Sequence, residues 1–182
     1  MNFAVFIIIA LLSFSANAGP AKKDISVKSK IIHSSLGEFK FVLLNLENRP
    51  YSKDTNRAEI QISSPDGQQI QKIPVEISFS SPAFEFFDVN DDGYVDLLVY
   101  TYEIPNGSIP VPDVYLYIPK LMKFVKSKTL SAKGEISKSK QHGCVNIIFE
   151  RNVEGYIAEE WCFSLDTGRW KMVNKNEVTL GQ

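Results

Sequence analysis

The stretch Asp88-Val89-Asn90-Asp91-Asp92-Gly93-Tyr94-Val95-Asp96 holds the residues best equipped for chemistry. Counted from Asp88, side-chain oxygens fall at positions 1, 3 and 5, from Asp88, Asn90 and Asp92. Gly93 follows at position 6, where the chain must turn sharply; position 7 offers the backbone carbonyl of Tyr94, and position 9 is Asp96. Hard oxygens on alternate residues, curled around one point at about 2.3–2.6 Å, are what Ca²⁺ requires. Without a cation, three carboxylates in so short a loop repel one another. The loop is not an EF-hand, because position 12 is Val99 rather than a bidentate Glu and the flanks read as strands. Asp91 is expected to point outward and not to ligate. The competing reading is an acidic β-turn that holds no ion. The expectation is one structural Ca²⁺ on Asp88, Asn90, Asp92, Tyr94 and Asp96.

The two cysteines, Cys144 and Cys162, are the second pair with a chemical consequence. Val145 to Phe149 and Tyr156 to Leu165 read as strands around the turn residues Asn152-Val153-Glu154-Gly155. Facing residues of a hairpin are equidistant from its turn, and the midpoint of 144 and 162 is 153. The two sulfurs therefore face each other, and a disulfide is expected. Two buried free thiols and a metal pair are the alternatives. The metal pair lacks partners, since His33 and His142 are the only histidines.

Both features need elements to position them. Ala58, Ile60 and Ile62 alternate with polar residues, as do Val75, Ile77 and Phe79, the period-2 mark of half-buried strands. Further strands are expected at Lys28–His33, Glu38–Glu47, Phe84–Phe87, Tyr94–Tyr102, Val114–Ile118 and Trp170–Val173, punctuated by turns at Ser34–Gly37, Ser64–Gly67 and Asp166–Gly168. Gly19 to Val27 reads as a loose lead-in, and the Ser/Lys-rich Lys126–Ser139 as a short helix or a loop with a solvated face. No run of i, i+3, i+4 apolar positions spans three turns. The fold class expected is all-β: a single antiparallel domain, either a sandwich or a propeller-like sheet stack.

Composition agrees. The chain has 182 residues, 20 Lys+Arg against 21 Asp+Glu, and a hydrophobic fraction of 44%, which suits one domain with a real core and leaves no basic footprint for nucleic acid. Residues 1–18 read as a signal peptide: an apolar run from Phe3 to Phe14, too short for a comfortable membrane span, closes on Ala16-Asn17-Ala18. Cleavage there leaves 19–182 as one calcium-binding β domain, periplasmic or secreted, with no membrane association. An uncleaved N-terminal anchor is the alternative.

The stretch Phe87–Leu97 resembles the calcium loop of FG-GAP and integrin-type propeller repeats, where it joins two strands of one blade; a single copy excludes a full propeller. The loop is followed by a strand, a Pro/Gly loop, Val114-Tyr115-Leu116-Tyr117-Ile118-Pro119-Lys120, then Lys123-Phe124 and a late hairpin. Over Phe84 to Val173 this layout is similar to the periplasmic calcium-binding lysozyme-inhibitor-like family, the relatives of an inhibitor associated with Xanthomonas secretion systems. That resemblance implies a β-sandwich that binds a lysozyme or another peptidoglycan hydrolase, as an inhibitor or immunity protein. The Ser-Gly loop that such inhibitors present has no counterpart here; Asn106-Gly107-Ser108 is the nearest segment.

Enzyme signatures are absent from the sequence: no Gly-x-Ser-x-Gly, no His-Glu-x-x-His and no phosphate-cradling glycine loop. Glu159 and Glu160 are adjacent in a strand and so face opposite sides. The expectation is a non-enzymatic protein that binds a protein partner. Its surface would be the Ile104–Pro112 loop: Pro105, Asn106, Gly107 and Ser108 with Tyr100, Tyr102 and Glu103 beside it. A structural or sensing calcium module with no inhibitory role is the alternative.

Overall fold

The computed structural model describes residues 23–46, 56–77, 83–100, 111–149 and 155–179. These form three four-stranded antiparallel sheets, each an up-and-down meander. The first contains β1 (Lys23–His33), β2 (Gly37–Asn45), β3 (Asn56–Ser63) and β4 (Gln69–Ile77). The second contains β5 (Ala83–Phe87), β6 (Asp96–Tyr100), β7 (Asp113–Ile118) and β8 (Lys123–Lys126). The third contains β9 (Glu135–Lys138), β10 (Cys144–Phe149), β11 (Gly155–Ser164) and β12 (Arg169–Thr179). The only helical element among the described residues is a 3₁₀ turn, Pro119–Leu121. Of the two architectures the sequence left open, the chain has a stack of three blade-like meanders, in effect two sandwiches sharing a middle sheet.

The second sheet is that shared layer. Leu97, Val99, Tyr115, Tyr117 and Phe124 pack with Phe39, Phe41, Ile60 and Ile62 of the first sheet. Leu98, Val114 and Leu116, which alternate with them, pack with Val145 and Ile147 of the third. A strand buried on both faces has no polar side, and so Leu97-Leu98-Val99 and Val114-Tyr115-Leu116-Tyr117 are unbroken apolar runs. The outer strands instead alternate: Ile73, Val75 and Ile77 are buried and the residues between them exposed.

Side chains also stitch the layers. Gln71 on β4 accepts from the Phe124 amide and donates to the Phe124 carbonyl, both at 2.8 Å, so one amide side chain extends the first sheet's ladder onto β8.

Three segments differ from the sequence reading. β1 begins at Lys23, inside the stretch expected to be loose, because it pairs with β2 as far as Lys23↔Asn45. The Ser/Lys-rich stretch contains neither a helix nor only loop; it supplies β8's end, a turn and β9, which pairs with β10 from Val145↔Lys138 to Ile148↔Glu135. Gly134 permits that pairing, since a Cβ there would come within 2.2 Å of the Ile148 carbonyl oxygen. β12 runs to Thr179, beyond the expected Val173, held by its ladder to β11 although most of its side chains are exposed.

Candidate metal centre

The acidic loop joins β5 to β6 and turns on two left-handed residues, Asp91 (φ 53°) and Gly93 (φ 89°). Asp tolerates this conformation; at Gly93 the absent Cβ removes its steric cost. Asp88 accepts at both oxygens, from the Asp92 amide at 3.1 Å and the Gly93 amide at 2.8 Å. Asp92 accepts from the Tyr94 amide at 2.9 Å and from the Asn90 side-chain amide at 3.1 Å. Asp88, Asn90 and Asp92 are thus brought together on one curl.

Asp96 opens β6 and is fully buried. It accepts from the Val89 amide at 2.9 Å and from the Tyr117 amide of β7 at 2.8 Å. Burial outweighs those two hydrogen bonds and, with the charges of Asp92 and Asp88, pushes its carboxyl up to about 8. Burial also raises Asp92, with Asp88 adding to the effect. The charges of Asp88 and Asp92 each add to the rise at Asp96, so the carboxylates disfavour one another's ionisation. The Tyr94 ring turns back over the first two sheets, 4.7 Å from the His33 ring and 5.6 Å from Tyr117.

In this conformation the loop closes on its own amides. Among the described residues, no three His, Cys, Asp or Glu side chains are gathered in the way a bound ion gathers them. The donor set nonetheless fits calcium chemically: three carboxylates and a carboxamide on one turn, two of the carboxylates raised by burial and mutual repulsion that a divalent cation would relieve. A carboxylate oxygen that accepts one amide keeps a second lone pair for an ion.

The loop also bonds to all three sheets. The Val95 amide donates to the Ile32 carbonyl at 2.8 Å, reaching the first sheet, and Asp96 reaches β7 in the second. Asp91 reaches the third: it accepts from Lys138 Nζ at 2.8 Å and from the Gly143 amide at 2.6 Å. The Gly143 amide, then Lys138, hold the Asp91 carboxyl below its ordinary value. Asp91, expected to point outward, instead turns toward the third sheet with its side chain only 21% exposed, a role sequence reasoning did not assign it. The available signal was charge complementarity with Lys138, Lys140 and His142. Replacing Asp91 by Ala should cost about 1–2 kcal/mol in urea unfolding, chiefly through the stranded Gly143 amide. Lys138→Ala should cost at most about 0.5 kcal/mol, because that ammonium is half exposed.

Cys144 and Cys162 form a disulfide and sit directly opposite in the β10–β11 register, as the hairpin symmetry requires. Gly155 begins β11; the remaining residues expected to form that turn lie outside the described residues. The bond fits an oxidising, extracytoplasmic environment. Among the described residues, no helix is long and apolar enough to cross a membrane.

Of the expected partner surface, Tyr102, Glu103, Pro105, Asn106, Gly107 and Ser108 lie outside the described residues. Tyr100 ends β6, half-buried against the second core, and its hydroxyl donates to Glu85 at 2.8 Å. Glu159 accepts from Trp161 Nε1 at 2.9 Å and pairs with Lys175, whereas Glu160 accepts from Ser139 Oγ, so the two glutamates serve separate neighbourhoods.

No family model, no curated protein and no solved structure matches this chain. The likeness to the lysozyme-inhibitor-like family rests on the residues quoted above.

Proposed function

We propose that the chain is an exported calcium-binding β protein, periplasmic or secreted, that acts by binding another protein and performs no chemistry of its own. The observation that carries this reading is the Asp88–Asp96 loop: a calcium-type donor set on a turn hydrogen-bonded to all three sheets. An ion there would neutralise the mutual repulsion of Asp88, Asp92 and Asp96 and fix the start of β6. In sequence that strand is followed by Ile104–Pro112, so calcium would act on partner binding through the scaffold. Asp88, Asn90, Asp92 and Asp96 would supply side-chain oxygens and Tyr94 its carbonyl.

The partner class this reading favours is a peptidoglycan hydrolase such as a lysozyme, which the protein would inhibit. The export read from the sequence and the family resemblance support it, and a proline-rich segment would bind at low ordering cost. The test is a titration of lysozymes and other cell-wall hydrolases with the mature protein. Inhibition that vanishes when Ile104–Pro112 is replaced by a short Gly/Ser linker, with calcium affinity unchanged, is the expected result. No inhibition of any hydrolase would leave the plain structural calcium module as the better reading.

A further inference from the structure

The β7–β8 turn carries the most exposed pair of adjacent large apolar side chains among the described residues: Leu121 is 59% exposed and Met122 53%. Its backbone is pre-shaped. Pro119 opens the 3₁₀ turn, and Met122 closes it in the left-handed region (φ 50°), with its amide donating to the Pro119 carbonyl at 3.1 Å. β8 continues the patch. Phe124 packs into the first core, so its neighbours Lys123 and Val125 face the opposite side. There the third sheet packs on Leu116 but leaves Val125, the register partner of Leu116, exposed.

Charge surrounds these apolar groups. From Val114 to Gly134 the chain has five lysines and no acidic residue, in a protein of net charge −1. Lys126 pairs with Asp113 at 2.6 Å. Lys120, Lys123 and Lys128 are exposed and, among the described residues, pair with no carboxylate. A soluble polyanion would engage the lysines and leave Leu121 and Met122 in water. A folded protein would have to offer a pocket to a convex tip. An anionic bilayer uses both features: lysine heads meet the phosphates while their stems lie along apolar surface, and the two tip side chains reach the acyl boundary.

We propose that the β7–β8 turn docks on an anionic phospholipid bilayer, with Leu121 and Met122 entering the acyl boundary and Lys120, Lys123 and Lys128 meeting lipid phosphates. The expectation of no membrane association followed from the lack of a spanning segment in the mature chain, which surface binding does not need. Calcium plays no part in this contact.

Co-sedimentation of residues 19–182 with vesicles, in chelator, is the test. The vesicles are pure phosphatidylcholine, or the same lipid with about a third phosphatidylglycerol. Binding to the anionic vesicles should be at least about tenfold tighter than to phosphatidylcholine, and should weaken as salt is added. The Lys120→Gln/Lys123→Gln protein should lose about fivefold for each lysine. The Leu121→Ser/Met122→Asn protein should lose at least about tenfold at unchanged salt. Asn tolerates the left-handed backbone at that position. All four side chains are exposed, so both variants should keep the parent's urea midpoint. No binding to anionic vesicles, equal binding to the two compositions, or undiminished binding by the lysine variant would each overturn the proposal. Undiminished binding by Leu121→Ser/Met122→Asn would overturn it too, and would assign the lysines to soluble polyanions instead.

Discussion

Asp96→Ala should be the most damaging single substitution in the acidic loop. The Val89 and Tyr117 amides that donate to Asp96 would both be left buried without an acceptor. At about 1–3 kcal/mol for each stranded donor, several kcal/mol of stability should disappear. The same substitution should abolish the stabilisation that the proposed calcium ion would give. Binding to the native state alone would contribute about 2.7 kcal/mol at a roughly hundredfold excess over Kd, read as a rise in Tm. Asp96→Asn separates the two effects, because it keeps an acceptor oxygen and loses the charge. It should unfold closer to the parent protein without calcium and still fail to respond to the ion.

Asp96 also sets a pH dependence of definite sign. Its carboxyl is raised from 3.8 to about 8 on folding, so between those values the native state holds a proton that the unfolded chain has released. Stability of the metal-free protein should therefore fall as pH rises through that window. Calcium should reverse the trend, because its ligands are the ionised carboxylates. Urea unfolding at several pH values, with calcium and with chelator, reads both slopes. A metal-free protein that gains stability from pH 5 to pH 8 would contradict this assignment.

Loss of the disulfide is the second large effect. Cys144 and Cys162 are 18 residues apart in sequence, and cross-linking a loop of that size stabilises by about 3 kcal/mol in the chain-entropy model. Against a typical domain stability of about 5–15 kcal/mol, reduction should lower the urea midpoint substantially. Because the bond constrains the unfolded chain, the reduced protein should also expose more surface on unfolding and show a larger m value. The β10–β11 register should survive, since Val145, Ile147 and the ladder beyond them stay buried and paired. The Cys144→Ser/Cys162→Ser double variant should match the reduced protein. Identical unfolding of oxidised and reduced protein would contradict this account.

Much of this was legible from residue types. The alternation in Ala58-x-Ile60-x-Ile62 marks a strand with one buried face; the run Leu97–Val99, expected only as part of a strand, turned out to be buried on both faces. Turn chemistry located Ser64–Gly67, and hairpin symmetry alone paired the cysteines. What the sequence hid depends on distant neighbours. β9 has a single buried apolar residue, Ile136, so it exists through its ladder to β10 and not through its own pattern. β12 is exposed along nearly its whole length, Met172 and Val173 included, and is held by β11. The acidic loop was recognised as a calcium-type sequence, yet two of its contacts were not legible. Asp96 reaches Tyr117 and Asp91 reaches Gly143, across 21 and 52 residues of chain respectively, and local spacing carries no information about such partners.

The central claim is that the Asp88–Asp96 loop holds one Ca²⁺ and that the ion stabilises the three-sheet stack. Thermal unfolding of chelator-treated protein, with and without added calcium, tests it most directly. The account predicts a clear, concentration-dependent rise in Tm with calcium, absent from the Asp92→Ala protein. An identical Tm in calcium and in chelator would contradict it.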